Sequence, residues 1–224
     1  MYWMKYVAIL FVMILTGCAS APPAHDYSTF RSANPTSVLV MPPVNNSVEV
    51  VAPYSVMAQI ATPIAESGYY VFPAALVQQT FRTNGMTEAA DIHAIPFSKV
   101  HEIFGADTAL YLTIDKYGTS YSVLSSDTVV TIAATLVDLR SGAVLWKDKA
   151  TASSAETKGN NGGGLVGMLI EAAMTQIIDT ITDRGFDIAA ISANRLLYAE
   201  SYNGFLYGPR SPKYGQPVLS EKKK

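Results

Sequence analysis

The most regular hydrophobic pattern in the chain lies near its middle and predicts that this stretch forms a β-sheet. Apolar side chains occupy every second position from Leu110 to Ile114 and again from Val130 to Leu136. An alternation of this kind predicts half-buried strands. Asp138 to Gly142 has the composition of a hairpin loop, in which the glycine supplies a positive φ, and Val144 begins a return strand that runs to about Ala152. The pattern therefore predicts an antiparallel three-stranded meander.

Shorter patterns on both sides of the meander predict further elements from apolar spacing and from the Gly and Pro positions. Before it are a strand at Ser37–Met41, a helix from Pro53 to Gly68 that Pro63 kinks or splits, a strand at Tyr69–Phe72, and helices at Ala74–Thr83 and Ser98–Phe104. After it are a loop at Lys158–Gly164, a long amphipathic helix at Leu165–Thr182 and a further helix at Phe186–Tyr198. The predicted fold class is α/β (α+β): a small three-layer-like domain with helices packed on a mixed sheet that contains the meander.

The start of the chain has the layout of a lipoprotein signal peptide. Lys5 precedes the apolar run Tyr6–Leu15, and the segment closes with Leu15-Thr16-Gly17-Cys18, which matches the bacterial lipobox. The run is about ten residues long, whereas a bilayer span needs ~20. We expect cleavage before Cys18, the only cysteine in the sequence, and acylation of its thiol. The alternative, an incidental cysteine near a transmembrane start, leaves the lipobox match unexplained.

These patterns divide the chain into a signal peptide at 1–17, a lipidated tether at 18–35, one α/β domain at 36–200 and an extended C-terminal segment at 201–224. The residue after the cysteine is Ala19, not the Asp that commonly retains lipoproteins on the inner membrane. Resemblance to sorting signals therefore implies an outer-membrane protein that is anchored by lipid and faces the periplasm. Two or more acyl chains anchor a protein stably.

Composition and motifs argue against several classes of function. The formal net charge is −2 and no basic block precedes Lys222–Lys224, so we expect no nucleic-acid partner. The three histidines lack the spacing of a metal site. Gly162-x-Gly164-x-x-Gly167 matches the dinucleotide fingerprint in spacing, but a parallel strand should precede such a motif and the meander precedes this one. We predict no catalytic residue, no metal and no cofactor; carboxylates at strand ends leave a hydrolytic enzyme as the open alternative.

Several stretches of the chain resemble a family of bacterial lipoproteins that is defined as a conserved domain of unknown function. They are Val38–Ser47, Gly68–Pro73, Ile103–Asp107, Lys116–Tyr121, Leu136–Trp146 and Tyr207–Gly215. Some are shared more loosely with the curli-secretion lipoprotein CsgG, the N-terminal domain of TolB and the lipoprotein activators of peptidoglycan synthases. The resemblance implies a small α/β fold and a role in binding, assembly or pore formation. Because family members are often encoded beside a CsgG-like lipoprotein, it also implies a shared envelope complex.

Two functions follow from these observations. The main prediction is a non-catalytic outer-membrane lipoprotein that assembles with itself, as a dimer or larger, or with a CsgG-like lipoprotein in secretion or transport. The alternative is a periplasmic regulator of a cell-wall synthesis enzyme, which calls for a longer tether. Aromatic side chains supply interface energy when a partner buries them, although they could equally wrap the domain's own surface. The candidate contact residues are Asn45, Asn46, Ser47, Tyr202, Phe205, Tyr207 and Tyr214.

Overall fold

A mixed sheet of six strands organises the molecule, whose computed structural model describes residues 25–121, 126–157 and 184–219. The strands are β1 (Ser37–Val40), β2 (Val44–Asn45), β3 (Tyr70–Val71), β4 (Thr108–Tyr121), β5 (Ser126–Asp138) and β6 (Val144–Ser153). The helices of the described residues are α1 (Ser28–Ala33), α2 (Ala52–Glu66), α3 (Ala74–Thr83), α4 (Ala89–His93), α5 (Phe97–Phe104) and α6 (Arg184–Leu197). A short 3₁₀ turn, Ser154–Thr157, follows β6.

The strand order is β3-β1-β4-β5-β6, and β2 adds to the same edge of β4 further along the strand. β1 pairs in parallel with β3 and β4, and β2 pairs in parallel with β4. β4, β5 and β6 are antiparallel neighbours, with Leu110 opposite Leu136 and Leu136 opposite Trp146. The predicted meander is therefore confirmed, and its first two strands run longer than the hydrophobic alternation indicated.

Helices cover both faces of the sheet, which confirms the three-layer fold class. Val38 and Val40 of β1 face one core cluster, which α1, α2 and α6 complete. Leu39 and Met41, the alternate residues of the same strand, face a second cluster with α3, α4 and α5. A strand buried on both faces reads as a continuous apolar run, and the segment Ser37–Met41 has this composition.

The structure corrects four parts of the predicted organisation. Residues 27–35 are not tether, because Tyr27 and the α1 residue Phe30 are buried in the core. Val44–Asn45, where no element was predicted, forms β2. Between the two helices predicted at Ala74–Thr83 and Ser98–Phe104 lies a further short helix, α4. Pro63 does not split α2: its side chain is buried, and Ser67 N–H and Oγ–H both donate to its carbonyl.

The outer edge of β6 is occupied by side chains. Nε2 of His25 lies 2.5 Å from the Lys147 carbonyl oxygen. The Lys149 N–H donates to Asp148 Oδ1 at 2.7 Å, and Arg195 donates to the Thr151 carbonyl at 2.8 Å. Side chains rather than a further strand therefore bond these backbone groups, which is one way that proteins protect an exposed edge.

Several predicted features lie outside the described residues. They are Cys18 with the signal peptide, the loop that contains Gly159–Gly164, the Gly162–Gly167 motif and the helix at Leu165–Thr182. Within the described residues, no helix combines the length and the apolar character that crossing a bilayer requires.

Candidate functional site

The long strands and two helices connect two ends of the molecule, which we call the tip and the base. The tip is residues 45–54, where the Asn46 N–H donates to the Ile114 carbonyl of β4 at 2.9 Å. The base is residues 25–35 and 199–219, which meet the other end of the sheet where Trp146 Nε1–H donates to the Asn203 carbonyl at 2.7 Å. The tip lies beside Ile114 to Gly118, whereas Leu110 is at the base end. At ~3.3 Å per residue, Gly118 is about 26 Å from Leu110 along β4.

α2 and α6 both run from the tip to the base. α2 begins immediately after the tip loop and ends at Glu66, next to the Gly68 segment that the C-terminal residues contact. α6 begins where Gly185 packs on the Tyr117 ring and ends at Leu197, whose carbonyl accepts from the Phe205 N–H. The two helices thus fix the distance between the two ends.

Phe205 closes the core at the base. Its side chain is fully buried. Its ring centroid lies 4.7 Å from that of Trp146, 5.9 Å from that of Phe30 and 6.1 Å from that of Tyr69, edge-to-face in each case. Edge-to-face pairs stabilise beyond their buried area. This corrects the prediction for Phe205: its ring is part of the domain's own core, because helix α1 and the C-terminal segment enclose it, and it is not exposed to a partner.

The C-terminal segment 199–219 also docks through its backbone. The Gly208 N–H donates to the Ser67 carbonyl at 2.7 Å, and the Arg210 N–H donates to the Gly68 carbonyl at 3.1 Å. Gly68 has a φ of 98°, and a Cβ there would lie 2.5 Å from the Ser211 nitrogen. Both the backbone conformation and the close approach therefore require glycine at this position.

The tyrosines of the base are held by the fold. Tyr69 donates to the Leu206 carbonyl, and burial raises the pKa of its hydroxyl. Tyr214 donates to Asn34 Oδ1 at 2.6 Å, which joins the C-terminal segment to the end of α1. Tyr207 is half-buried beside Glu200 and carries the Lys213 ammonium over its ring. Tyr202 is half-buried in the turn before Phe205.

A cleft of about 190 Å³ separates α1 from the C-terminal segment, and Tyr69, Tyr207 and Tyr214 line it. Sites that hold a whole small molecule commonly have ~300–1,000 Å³. The cleft is therefore smaller than such sites and of the size that takes a side chain.

Asp107 ties three elements together near the base. Its carboxylate accepts from the Thr36 N–H and Oγ–H and from Ser37 Oγ–H, and it pairs with Arg140 of the β5–β6 hairpin at 2.6 Å. Burial on its own would raise the pKa of this carboxyl, but the hydrogen bonds from Thr36 and Ser37 and the Arg140 charge hold the pKa below its usual value. These partners give Asp107 a structural role.

The tip loop has a defined shape that Asn45 sets. Its Oδ1 accepts from the Ser47 N–H and Oγ–H at 3.0 and 2.7 Å, and its Nδ2–H donates to the Glu49 carbonyl at 2.9 Å. The Ala52 N–H closes the turn onto the same Glu49 carbonyl. Asn side chains favour turns because they bond to nearby backbone in this way. Asn45 and Ser47, both predicted contact residues, thus shape the loop, while Asn46 is exposed on it.

The structure adds a set of exposed apolar residues that sequence reasoning missed. Val48 is 93% exposed and Val50 is 81% exposed, and Val51 and Tyr54 follow within the next turn. Four large apolar side chains in seven residues are exposed, three on a loop that hydrogen bonds hold and Tyr54 in the first turn of α2. The signal was present in Val48-Glu49-Val50-Val51, a β-prone run that no partner strand covers. Within the described residues, no cluster of three His, Cys, Asp or Glu side chains is suited to hold a metal ion.

Comparison with known proteins gives the family. A relative from Neisseria meningitidis serogroup B (strain ATCC BAA-335 / MC58), described as "Putative lipoprotein NMB1124/NMB1162", is 46% identical over 200 residues, which are 89% of this chain and 92% of the relative. The crystal structure of lipoprotein GNA1162 from Neisseria meningitidis is 48% identical, with a TM-score of 0.53, and covers 65% of this chain and 100% of that chain.

A more distant match is the LpoB C-terminal domain from Salmonella enterica. It is 15% identical with a TM-score of 0.37 over 53% of this chain and 83% of that chain, and so carries no argument about function. The family model described as "Putative lipoprotein GNA1162-like" matches residues 25–210. The resemblance to a lipoprotein family is therefore confirmed, and the chain belongs to the GNA1162-like lipoprotein family.

Proposed function

We propose that this lipoprotein is a non-catalytic binding component of an envelope complex at the outer membrane, and that it presents its tip to a partner protein. The observation that carries the proposal is the exposure of Val48 and Val50 on a rigid loop. Burying a valine is favourable by ~1.5–3 kcal/mol, and a loop that is already ordered loses little entropy on binding. An interface that covers the tip gains both advantages.

The short tether favours a partner in the same membrane. With Cys18 acylated, Tyr27 is only nine residue steps from the lipid-bearing residue, and its hydroxyl donates to the Gly204 carbonyl at 2.7 Å. Nine extended residues span at most ~32 Å. Since the tip is about 26 Å from the base along β4, it stays within several tens of ångströms of the bilayer surface. We therefore name a CsgG-like lipoprotein, itself anchored by lipid, as the partner, with self-association as a second possible use of the same surface.

The alternative is regulation of a cell-wall synthesis enzyme. The same tip could serve it if the enzyme reaches close to the outer membrane. The two functions differ in partner and share the binding surface, so one set of variants tests both.

The experiment is in-cell cross-linking of the tagged, acylated protein co-expressed with the CsgG-like lipoprotein of the same bacterium. We expect a cross-linked pair that the double variant Val48→Asp/Val50→Asp loses and that Cys18→Ala also loses. Leu76→Asp is the matched control, because Leu76 on α3 is 66% exposed but lies away from the tip. A pair that survives in the tip variant would overturn the role of the tip. Cross-linking to a wall synthase instead would select the alternative.

A further inference from the structure

The tip contains a single charged residue, Glu49, and it lies among the exposed apolar side chains. Val48 precedes it and Val50 follows it, and both valines are largely exposed. Within residues 45–54 no other side chain carries a charge. A surface that covers these valines therefore also meets the Glu49 carboxylate.

The structure holds Glu49 at a defined position beside β4. A Cβ added at Gly118 would lie 3.5 Å from Glu49 Cγ and 3.7 Å from its Oε1, so the glutamate stem rests close to the strand backbone at this glycine. The Glu49 carbonyl accepts from Asn45 Nδ2–H at 2.9 Å and from the Ala52 N–H at 3.2 Å. Backbone and stem are thus both placed, while the side chain remains exposed.

The Glu49 carboxylate has no cation beside it in the part of the chain that the structure describes. Lys116, two residues before Gly118 on β4, is exposed and forms no ion pair with it. Several other carboxylates of the described residues pair with an arginine or a lysine: Asp107, Asp115, Glu156 and Glu200. Covering Glu49 without a cation would be costly, because a carboxylate that leaves water needs a partner.

We propose that the protein surface that covers the tip presents an arginine or a lysine to Glu49, beside its apolar contacts to Val48 and Val50. This inference rests on the proposed function, in which the tip binds a partner. Opposite charges across an interface steer encounter and select the partner, and like charges that face each other are unfavourable. A symmetric tip-to-tip contact between two copies would bring their Glu49 carboxylates together, so the same charge disfavours that form of self-association.

The test measures the affinity of the full acylated protein in detergent micelles for the purified CsgG-like lipoprotein of the same bacterium. Glu49→Gln removes the charge and nearly preserves the shape, and Glu49→Lys reverses the charge. Glu66→Gln is the matched control, because Glu66 is an exposed glutamate at the opposite end of α2. Denaturant unfolding of each variant in parallel detects a role of Glu49 that is merely structural.

We expect Glu49→Gln to weaken binding about tenfold and Glu49→Lys to weaken it further, whereas Glu66→Gln binds as the unsubstituted protein does. Between ~0.01 M and ~1 M NaCl the Debye length falls from ~30 to ~3 Å, so the unsubstituted protein should lose affinity as salt rises and Glu49→Gln should lose less. Glu49→Gln should unfold at the same denaturant concentration as the unsubstituted protein.

The outcomes separate this inference from the proposed function. If Val48→Asp/Val50→Asp abolishes binding while both Glu49 variants bind with full affinity, the inference is overturned and the proposed function stands. If the unsubstituted protein does not bind, or the valine variant binds equally well, both are overturned. Binding of the protein to a second copy of itself that the valine variant loses and Glu49→Lys retains would also overturn the inference.

Discussion

The base buries its apolar side chains, whereas the tip exposes its own to solvent. At the base, aromatic and apolar side chains from α1, the sheet and the C-terminal segment are buried against one another, with Phe205 at the centre. At the tip, valines are exposed although hydrogen bonds from Asn45 hold their loop. The difference shows that apolar side chains at the base stabilise the fold by burial, whereas those at the tip remain in water.

The largest expected effect is at the centre of the base. Phe205→Ala should lower the free energy of unfolding by about 3–5 kcal/mol, because it removes a fully buried ring and leaves a cavity among Phe30, Tyr69 and Trp146. Chemical denaturation followed by far-UV circular dichroism measures it. If Phe205→Ala lowered the free energy of unfolding by less than about 0.5 kcal/mol, as a substitution at an exposed residue does, Phe205 would not belong to the core.

The close approach of the C-terminal segment to Gly68 gives the next effect. Gly68→Ala should cost about 3 kcal/mol, since it adds a steric clash with Ser211 to the strain of a positive φ. Gly85→Ala is the control: its φ is 77°, but a Cβ there meets nothing within 4 Å, so only ~1–2 kcal/mol is expected. Equal losses in thermal or denaturant unfolding would show that the C-terminal segment does not pack on Gly68.

Asp107 gives a pH-dependent effect near the base. Its folded-state pKa is lowered, so the stabilisation it provides is present above the unfolded-state pKa and is lost as pH falls through the folded-state pKa. Asp107→Asn should therefore cost about 2 kcal/mol at neutral pH and progressively less in acid. Unfolding curves of both proteins across this pH range measure the difference. A constant difference at all pH values would exclude the carboxylate charge as its cause.

At the tip, Asn45→Ala should lower the free energy of local opening of the loop by about 1 kcal/mol. The effect is small because the hydrogen bonds that it removes are partly exposed. Amide exchange at Ser47 and Glu49 should accelerate, while exchange in β4 should not. If the whole domain exchanged faster, the loop would be part of the global folding unit rather than a surface held on it.

The smallest effect is expected at the exposed valines. Val50→Ser should change the free energy of unfolding by no more than about 0.5 kcal/mol, because its side chain is already in water. A clear loss of stability in denaturant unfolding would mean that the valine packs on the domain, and the contrast between the two ends would then fail.

Periodicity predicted the parts of this fold that repeat. The meander, the exact bounds of α3 and the continuous strand at β1 follow from patterns of period two, period 3.6 and unbroken apolar character. The sequence did not predict α1, because a helix of six residues has too few turns to show a period and Phe30 is its only buried residue. The sequence did not predict β2 either. Its two residues pair with β4 through the backbone, and such pairing does not show in the pattern of side chains.

Sequence reasoning named three polar residues of the tip loop as partner contacts, which stay a prediction, and did not name its exposed apolar residues. Asn45, Asn46 and Ser47 lie in the tip, and the exposed apolar group begins one residue later at Val48. Apolar residues are assigned to the core by default, and only tertiary structure shows that no element covers these. Conversely, the aromatic residues of the C-terminal segment looked available, but Phe205 is enclosed by α1, whose presence the sequence did not reveal.

The side chains along β6 have a consequence for crowding at a membrane. Lipid anchors confine copies of a protein to two dimensions and hold them in a shared orientation, so the same edges meet repeatedly. A bare strand of this length would invite sheet-to-sheet zippering between neighbours. His25, Asp148 and Arg195 already bond the backbone of Lys147, Lys149 and Thr151, so each such encounter would first have to break these bonds. Dense populations on a bilayer can then remain separate molecules along this edge.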